Sequence, residues 1–265
     1  MLHELWLFFV GFVVGGIGTL VGAGGGFILV PFLLLSEGLP SHKAVSISLA
    51  VVFFNALSGS IAYIKQKRVD FKTGWKFIVF AAPGALIGTY LTVYLHGKTF
   101  RMIFSFLLLL VVYRMLGLPM WKKNRTDLPK DVTVRNIVDA RGISYQYSFS
   151  QWKGNLLSFF VGTYSGLFGV GGGILHVPIM VGILSFPVHI ATATSHFVLV
   201  ITSLVSTIES ILLGRLDFDY VLYLAIGVII GAQVGAAISP KVNDRFLKFI
   251  LAILLVITSV KMLVM

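Results

Sequence analysis

Residues 20–31 read LVGAGGGFILVP, and residues 167–178 read LFGVGGGILHVP. Each glycine cluster sits inside a long apolar run, where a membrane helix would be expected to continue. Glycine costs about 1 kcal/mol per residue relative to alanine in a helix interior. It also adopts backbone conformations closed to other residues and lets neighbouring groups approach closely. Two such clusters therefore predict two interrupted helices.

The chain is 57% hydrophobic and 12% charged, with a mean hydropathy of +0.94. Soluble domains carry about a quarter charged residues. Apolar segments run over 5–35, 44–64, 74–95, 99–118, 154–184, 190–213, 219–238 and 246–264. These lengths suit helices crossing a hydrocarbon core about 30 Å thick. An outer-membrane barrel would instead show alternating strands of about ten residues. The N-terminus, MLHELWLFFVGF, lacks a basic region and a small-residue cleavage site. It reads as the start of the first membrane segment rather than a signal peptide. The net charge of +11 is concentrated in loops and is no nucleic-acid signature. With no cysteine, thiol chemistry is excluded.

An offset of 147 positions aligns the two glycine clusters and much else without a gap. Gly22, Gly24, Gly25, Gly26 and Pro31 fall on Gly169, Gly171, Gly172, Gly173 and Pro178. Pro40, His42, Ala44 and Ser48 fall on Pro187, His189, Ala191 and Ser195. Arg68, Asp70 and Phe71 fall on Arg215, Asp217 and Phe218. The expected organisation is a membrane repeat over 1–118, a linker over 119–153 and a second membrane repeat over 154–265. Internal duplication of this kind characterises transporters; a duplicated scaffold without transport is the plainer alternative.

As one helix, residues 5–35 would be about 46 Å long, more than a bilayer needs. If the chain turns back at the glycines, each repeat opens with a hairpin of two short helices followed by three crossings. The second repeat then enters from the opposite face. The expected fold is all-α and polytopic, with two inverted repeats of four hydrophobic segments. Most lysines and arginines fall inside when loops 65–76 and 119–153 are cytoplasmic, as the positive-inside rule requires. A single first crossing satisfies that rule almost equally well. The stretch VTVRNIVDARGISYQYSF, residues 132–149, predicts a small cytoplasmic β-hairpin with strands at Val132–Val138 and Ile143–Phe149. It reads either as a linker folded on itself or as a partner surface.

A helix interrupted at membrane depth exposes backbone groups, which is tolerated where protein or a cavity satisfies them. The helix resuming after each cluster directs free N–H groups and its positive dipole end at the break, which suits an anion. Gly24, Gly25, Gly26, Gly171, Gly172 and Gly173 are therefore candidate substrate-lining residues. Close helix packing through small residues is the competing reading. A dinucleotide loop is excluded, because GAGGGF lacks the last glycine of that fingerprint and no βαβ pattern surrounds it. Ser46, Ser48, Thr192, Thr194 and Ser195, at the starts of the next spans, could donate to an oxyanion or cap their own helices.

Three positions break the symmetry: Leu29 is matched by His176, Leu49 by His196 and Ala62 by Glu209. An ionisable group inside a bilayer is costly and defaults to a functional hypothesis. His176, His196 and Glu209 are the proton-coupling candidates, and His196 is also a substrate-binding candidate. Arg68 with Asp70, and Arg215 with Asp217, read as local interfacial pairs. His42 and His189 read as isolated loop residues. No metal-ligand cluster, catalytic constellation, Walker motif or cofactor motif is present, so no enzyme activity is expected.

With its doubled G-x-G-G-G…V-P segment, two sets of hydrophobic spans and polar stretch between them, the chain resembles the TauE/SafE sulfite exporter family, also called the four-toluene-sulfonate uptake permease family. The resemblance implies secondary transport of small sulfur-containing anions, such as sulfite or sulfoacetate, across the cell membrane by alternating access. An anion channel on the same scaffold is the alternative, and a membrane-embedded enzyme or sulfur-relay partner is a third class. The expected partners are a small anion and the lipid bilayer, with no nucleic acid. A homodimer is compatible with this class, although no stretch specifies an interface.

Overall fold

A computed structural model of the protein describes residues 2–95, 97–115, 132–242 and 244–264. The expected boundary between residues 118 and 119 and the first part of the 119–153 linker lie outside them. The first glycine cluster separates α1 (Leu2–Val21) from α2 (Gly26–Leu35), and the second separates α6 (Gln151–Phe168) from α7 (Gly173–Gly182). Gly22, Gly24 and Gly25 have φ of 80, 76 and 82°, and Gly169, Gly171 and Gly172 have φ of 68, 73 and 60°. Such angles are strained for any residue with a β-carbon, so the glycines are what permit the break. The chain then returns: His3 Nε2 lies 2.9 Å from Glu37 Oε2, and the rings of Trp6 and Phe32 are 6.3 Å apart. The arms are unequal, unlike the two short helices the sequence suggested. α1 has 20 residues and α2 has 10, so only the second arm is too short to span.

Pro40 and Pro187 then open α3 (Ser41–Lys65) and α8 (Val188–Leu212), each proline extended at the N-cap. Proline's missing N–H suits a helix start. His42 and His189 thus lie in first helical turns rather than in loops. α4 (Phe71–Leu91) and α9 (Phe218–Ile238) follow short turns, and α5 (Gly97–Met115) and α10 (Asp244–Val264) close the two halves. Among the described residues, α1, α3, α4 with its extension to Tyr94, α8 and α9 are long and apolar enough to cross a membrane.

The contacts come in reciprocal pairs. α1 packs on α9 as α6 packs on α4, α3 meets α9 as α8 meets α4, and α2 meets α10 as α7 meets α5. α3 and α8 face each other, as do α5 and α10. The α1–α9 and α4–α6 interfaces are built on small residues. Gly11 and Gly15 lie against the backbone of Leu224 and Val228, while Gly162 and Gly166 lie against Ala81 and Ala85. In lipid, where apolar contact alone does not drive association, close backbone approach supplies the packing.

The turn ending α3 places Lys67 at φ 56°, and the matched position ending α8 is Gly214 at φ 63°. Lys67 is exposed, and a left-handed conformation costs a non-glycine residue about 1–2 kcal/mol. Lys67→Gly is expected to raise the melting temperature of the purified protein, offset in part by a more flexible unfolded chain. An unchanged or lowered temperature would refute the strain.

Between the halves, β1 (Val132–Val138) and β2 (Ser144–Ser150) form an antiparallel hairpin with Val138 paired to Ser144. β2 begins one residue later than the sequence suggested, because Ile143 belongs to the turn. The Asp139 carboxylate accepts from the N–H groups of Arg141 and Ile143, at 2.9 and 3.0 Å. The hairpin docks on the α3–α4 turn. Arg68 Nη2 is 3.3 Å from Asp139 Oδ2, the Tyr147 hydroxyl donates to Asp70 Oδ2 at 2.8 Å, and Arg135 Nε is 3.4 Å from Asp70 Oδ2. Its apolar face, Tyr147 and Phe149, packs on Phe186 after α7.

Candidate functional site

The two glycine breaks lie against each other. A β-carbon on Gly26 would strike the backbone of Gly169 and Val170, and one on Gly173 would strike that of Gly22 and Ala23. Each break is also held by a serine from the other half. Ser48 on α3 donates to the Gly169 carbonyl at 2.6 Å, and Ser195 on α8 donates to the Gly22 carbonyl at 3.3 Å. The repeated sequence thus folds into a crossed pair: the serine following one break closes the other. Gly24 packs against Val52 and Leu199, and Gly171 against Val52. The first-turn N–H groups of Gly26, Phe27 and Ile174 have no carbonyl within their own helices to receive them, which leaves α2 and α7 as sources of positive potential at the crossing.

The other hydroxyls are turned elsewhere. Ser46 donates to the His42 carbonyl one turn earlier, at 2.9 Å. The Thr194 hydroxyl accepts from the Asp70 N–H at 3.0 Å, tying α8 to the α3–α4 turn. The Thr192 side chain packs beside Gly22. Ser46, Ser48 and Ser195 therefore have their protons engaged with the backbone in this conformation.

The three ionisable candidates occupy separate places. His196 is fully buried, with its ring edge-on to Tyr63 at 5.5 Å. Neither of its ring nitrogens has a partner at ideal hydrogen-bond geometry, but the Thr192 backbone one turn earlier lies close enough to receive a ring N–H. His176 is buried beside Phe77, its Nε2 3.3 Å from Ser158 Oγ. Glu209 borders an open groove of about 680 Å³ lined by apolar side chains that include Leu86, Tyr90 and Leu212. One of its oxygens is buried without a partner.

Sequence comparison of the halves, directed at ionisable residues, overlooked Asn55 and Tyr63. Asn55 is fully buried on α3 and its Oδ1 accepts from Thr19 Oγ1 at 2.8 Å. The Tyr63 hydroxyl donates to the Thr19 carbonyl at 2.8 Å. The available signal was an amide in the middle of an apolar span. The local Arg–Asp pairs do not form. Arg68 turns to Asp139, Asp70 caps α4 through the Thr73 N–H at 3.1 Å, and Arg215 donates to the Thr89 carbonyl at 3.3 Å. In the first half the reason is geometric: Asp70 is needed at the N-cap, where it satisfies a helix donor. Among the described residues, no group of three His, Asp or Glu side chains could hold a metal ion.

Known proteins resemble the chain over nearly its whole length. The probable membrane transporter protein YunE of Bacillus subtilis is 33% identical over 256 residues, covering 94% of this chain and 93% of its own. A probable membrane transporter protein of Methanocaldococcus jannaschii is 27% identical over 271 residues, covering 97% and 94%. The probable membrane transporter protein YfcA of Escherichia coli is 22% identical over 257 residues, covering 97% and 88%. No solved structure matches the chain at a significant level. The family model described as sulfite exporter TauE/SafE matches residues 7–262, nearly the whole of a chain with apolar helices long enough to cross a membrane several times, and this multi-pass membrane protein belongs to that transporter family.

Proposed function

We propose that the protein is a secondary transporter of small sulfur-containing anions, such as sulfite or sulfoacetate, working by alternating access between two inverted repeats. The observation that carries the proposal is the crossing of the two glycine breaks, each held by the other half's serine. An anion at the crossing would meet the positive ends of α2 and α7, and a movement of one half would alter the contacts of both. Inversion is supported by where the halves begin. α1 starts beside Tyr220 at the start of α9, with His3 and Tyr220 rings 6.0 Å apart. α6 starts beside Phe77 near the start of α4, against which Gly154 packs. α3 runs from the first of these ends to the second, so α1 and α6 set out from opposite ends.

In this reading the α3–α4 turn and the β-hairpin face the cytoplasm, and Glu209, His176 and His196 are candidates for proton coupling. Purified protein in proteoliposomes, supplied with sulfite, sulfoacetate, taurine, thiosulfate or sulfate, tests it. At least one of these anions is expected to accumulate above equilibrium under an imposed proton or voltage gradient. Equilibration without accumulation would make the protein a channel, and absence of flux for all five would refute the substrate class.

A further inference from the structure

Beside the first break, polar groups gather on one face of α3. Asn55, Gly59 and Tyr63 recur every four residues and so share that face. Thr19, near the end of α1, and His196, on α8, both press on Gly59: a β-carbon there would lie 2.8 Å from His196 Cδ2 and 3.1 Å from Thr19 Cγ2. Thr19 Oγ1 occupies the oxygen of the Asn55 amide, leaving Asn55 Nδ2 as the end without a partner. The ring nitrogens of His196 have no partner at ideal geometry beyond the nearby Thr192 backbone, so one of them is open toward this face. Asn55, His196 and Thr19 are all fully buried, and Tyr63 is 1% exposed. Several serines in the core also lack partners, but a helical hydroxyl can rotate onto the carbonyl one turn earlier. Asn55 Nδ2 has no such partner, and native interiors seldom leave a buried amide unsatisfied.

The matched positions in the other half carry no such set. Thr19, Asn55, Gly59 and Tyr63 correspond to Gly166, Thr202, Ser206 and Ser210, and His196 corresponds to Leu49. A leucine is therefore compatible with that place in the packing, and Gly59 is the small residue that admits the larger ring.

We propose that Asn55 Nδ2 and a ring N–H of His196 form a hydrogen-bonding subsite for the oxyanion group of the transported ion, with Thr19 and Tyr63 as positioning residues. The subsite rests on the transport reading above and deepens it. A single anion would bind off the axis relating the halves, with its sulfonate or sulfite oxygens on the Asn55 side. The donors are sealed in the conformation described and meet their ligand when the halves shift.

The test uses the residues the other half supplies, His196→Leu and Asn55→Thr, in full-length protein. Melting temperature is measured without added anion and then with sulfite, sulfoacetate, thiosulfate and sulfate, followed by phosphate and acetate. Both variants are expected to keep or raise the anion-free melting temperature, because an unsatisfied group is removed. Both are expected to lose the anion-induced shift, with the uptake KM raised at least tenfold. Shifts of wild-type size in both variants would overturn the subsite, as would a fall of more than about 5 °C in both without anion, which marks a structural role. A wild-type shift with phosphate or acetate alone, lost in the variants, would uphold the subsite and overturn the sulfur-anion reading. No shift of the wild-type protein by any oxyanion would overturn the subsite directly.

Discussion

Gly173→Ala is expected to abolish uptake in proteoliposomes and to lower the melting temperature, whereas Gly182→Ala, in the same short helix, leaves both nearly unchanged. At Gly173 the added methyl would meet the Gly22 carbonyl and the Ala23 backbone. Backbone held on both sides cannot move aside as a flexible side chain can, and overpacking of this kind costs about 1–3 kcal/mol. The cost falls on the contact between the two breaks. At Gly182 an added methyl meets nothing within 4 Å, and alanine's helix propensity favours it by about 1 kcal/mol at most. Gly26→Ala, facing Gly169 from the other half, is expected to match Gly173→Ala in size. Normal uptake by either break variant would show that the two breaks need not touch for transport, and would remove the main support for the proposed function.

Arg68→Ala is expected to destabilise the protein by about 3 kcal/mol and to loosen the β-hairpin. The Arg68 and Asp139 side chains are 3% and 1% exposed. Removing one partner of a buried pair costs about 3–5 kcal/mol. The lower end applies because a cavity of about 160 Å³, bordered by Gln66, Arg68, Asp139 and Arg141, gives access to water. Hydrogen exchange at the β1 and β2 amides provides the local measurement, with faster exchange in Arg68→Ala expected. Wild-type exchange rates would mean that Tyr147, Phe149 and Arg135 hold the hairpin without the pair.

The same pair gives the fold an acid limit. Desolvation by burial raises the Asp139 pKa, but the N–H groups of Ile143 and Arg141 and the Arg68 guanidinium together outweigh it and hold the carboxyl below its ordinary value. A carboxyl with a depressed folded pKa contributes stability that is complete above its unfolded value, about 3.9, and is lost as pH falls through the folded value. Wild-type melting temperature should therefore decline below about pH 4 more steeply than that of Asp139→Asn, which carries no titrating group at this place. Parallel profiles would assign the acid limit to other carboxyls. Burial and the neighbouring Asp70 charge push the Tyr147 hydroxyl upward, so it stays protonated and able to donate to Asp70 well above neutral pH.

How much of this was legible before folding differs from residue to residue. Backbone conformation is encoded locally. The positive φ values at Gly22, Gly24, Gly169 and Gly171 are those that glycine alone tolerates easily, so both breaks could be read directly, as could the DARG turn of the hairpin. The offset of 147 is mirrored in the reciprocal contacts, because matched sequences present matched surfaces. Partner choice was not local. Ser48 and Ser195 could be named as polar residues near the breaks, yet their acceptors lie 121 and 173 positions away. A hydroxyl donates to whichever carbonyl packing brings within reach, and composition carries no record of that. Arg68 illustrates the same limit: an aspartate two residues away is the natural guess, but Asp70 caps α4 and Arg68 reaches across to the hairpin.

By itself, then, the sequence determined a duplicated, membrane-embedded helical chain with a glycine break in each half, because hydrophobicity, periodicity and glycine's conformational freedom act over a few residues at a time. The tertiary structure decided that the two breaks meet, that each is closed by the opposite half, and that Asn55 Nδ2 is left without a partner near the His196 ring beside one of them, because these depend on packing between segments more than a hundred residues apart.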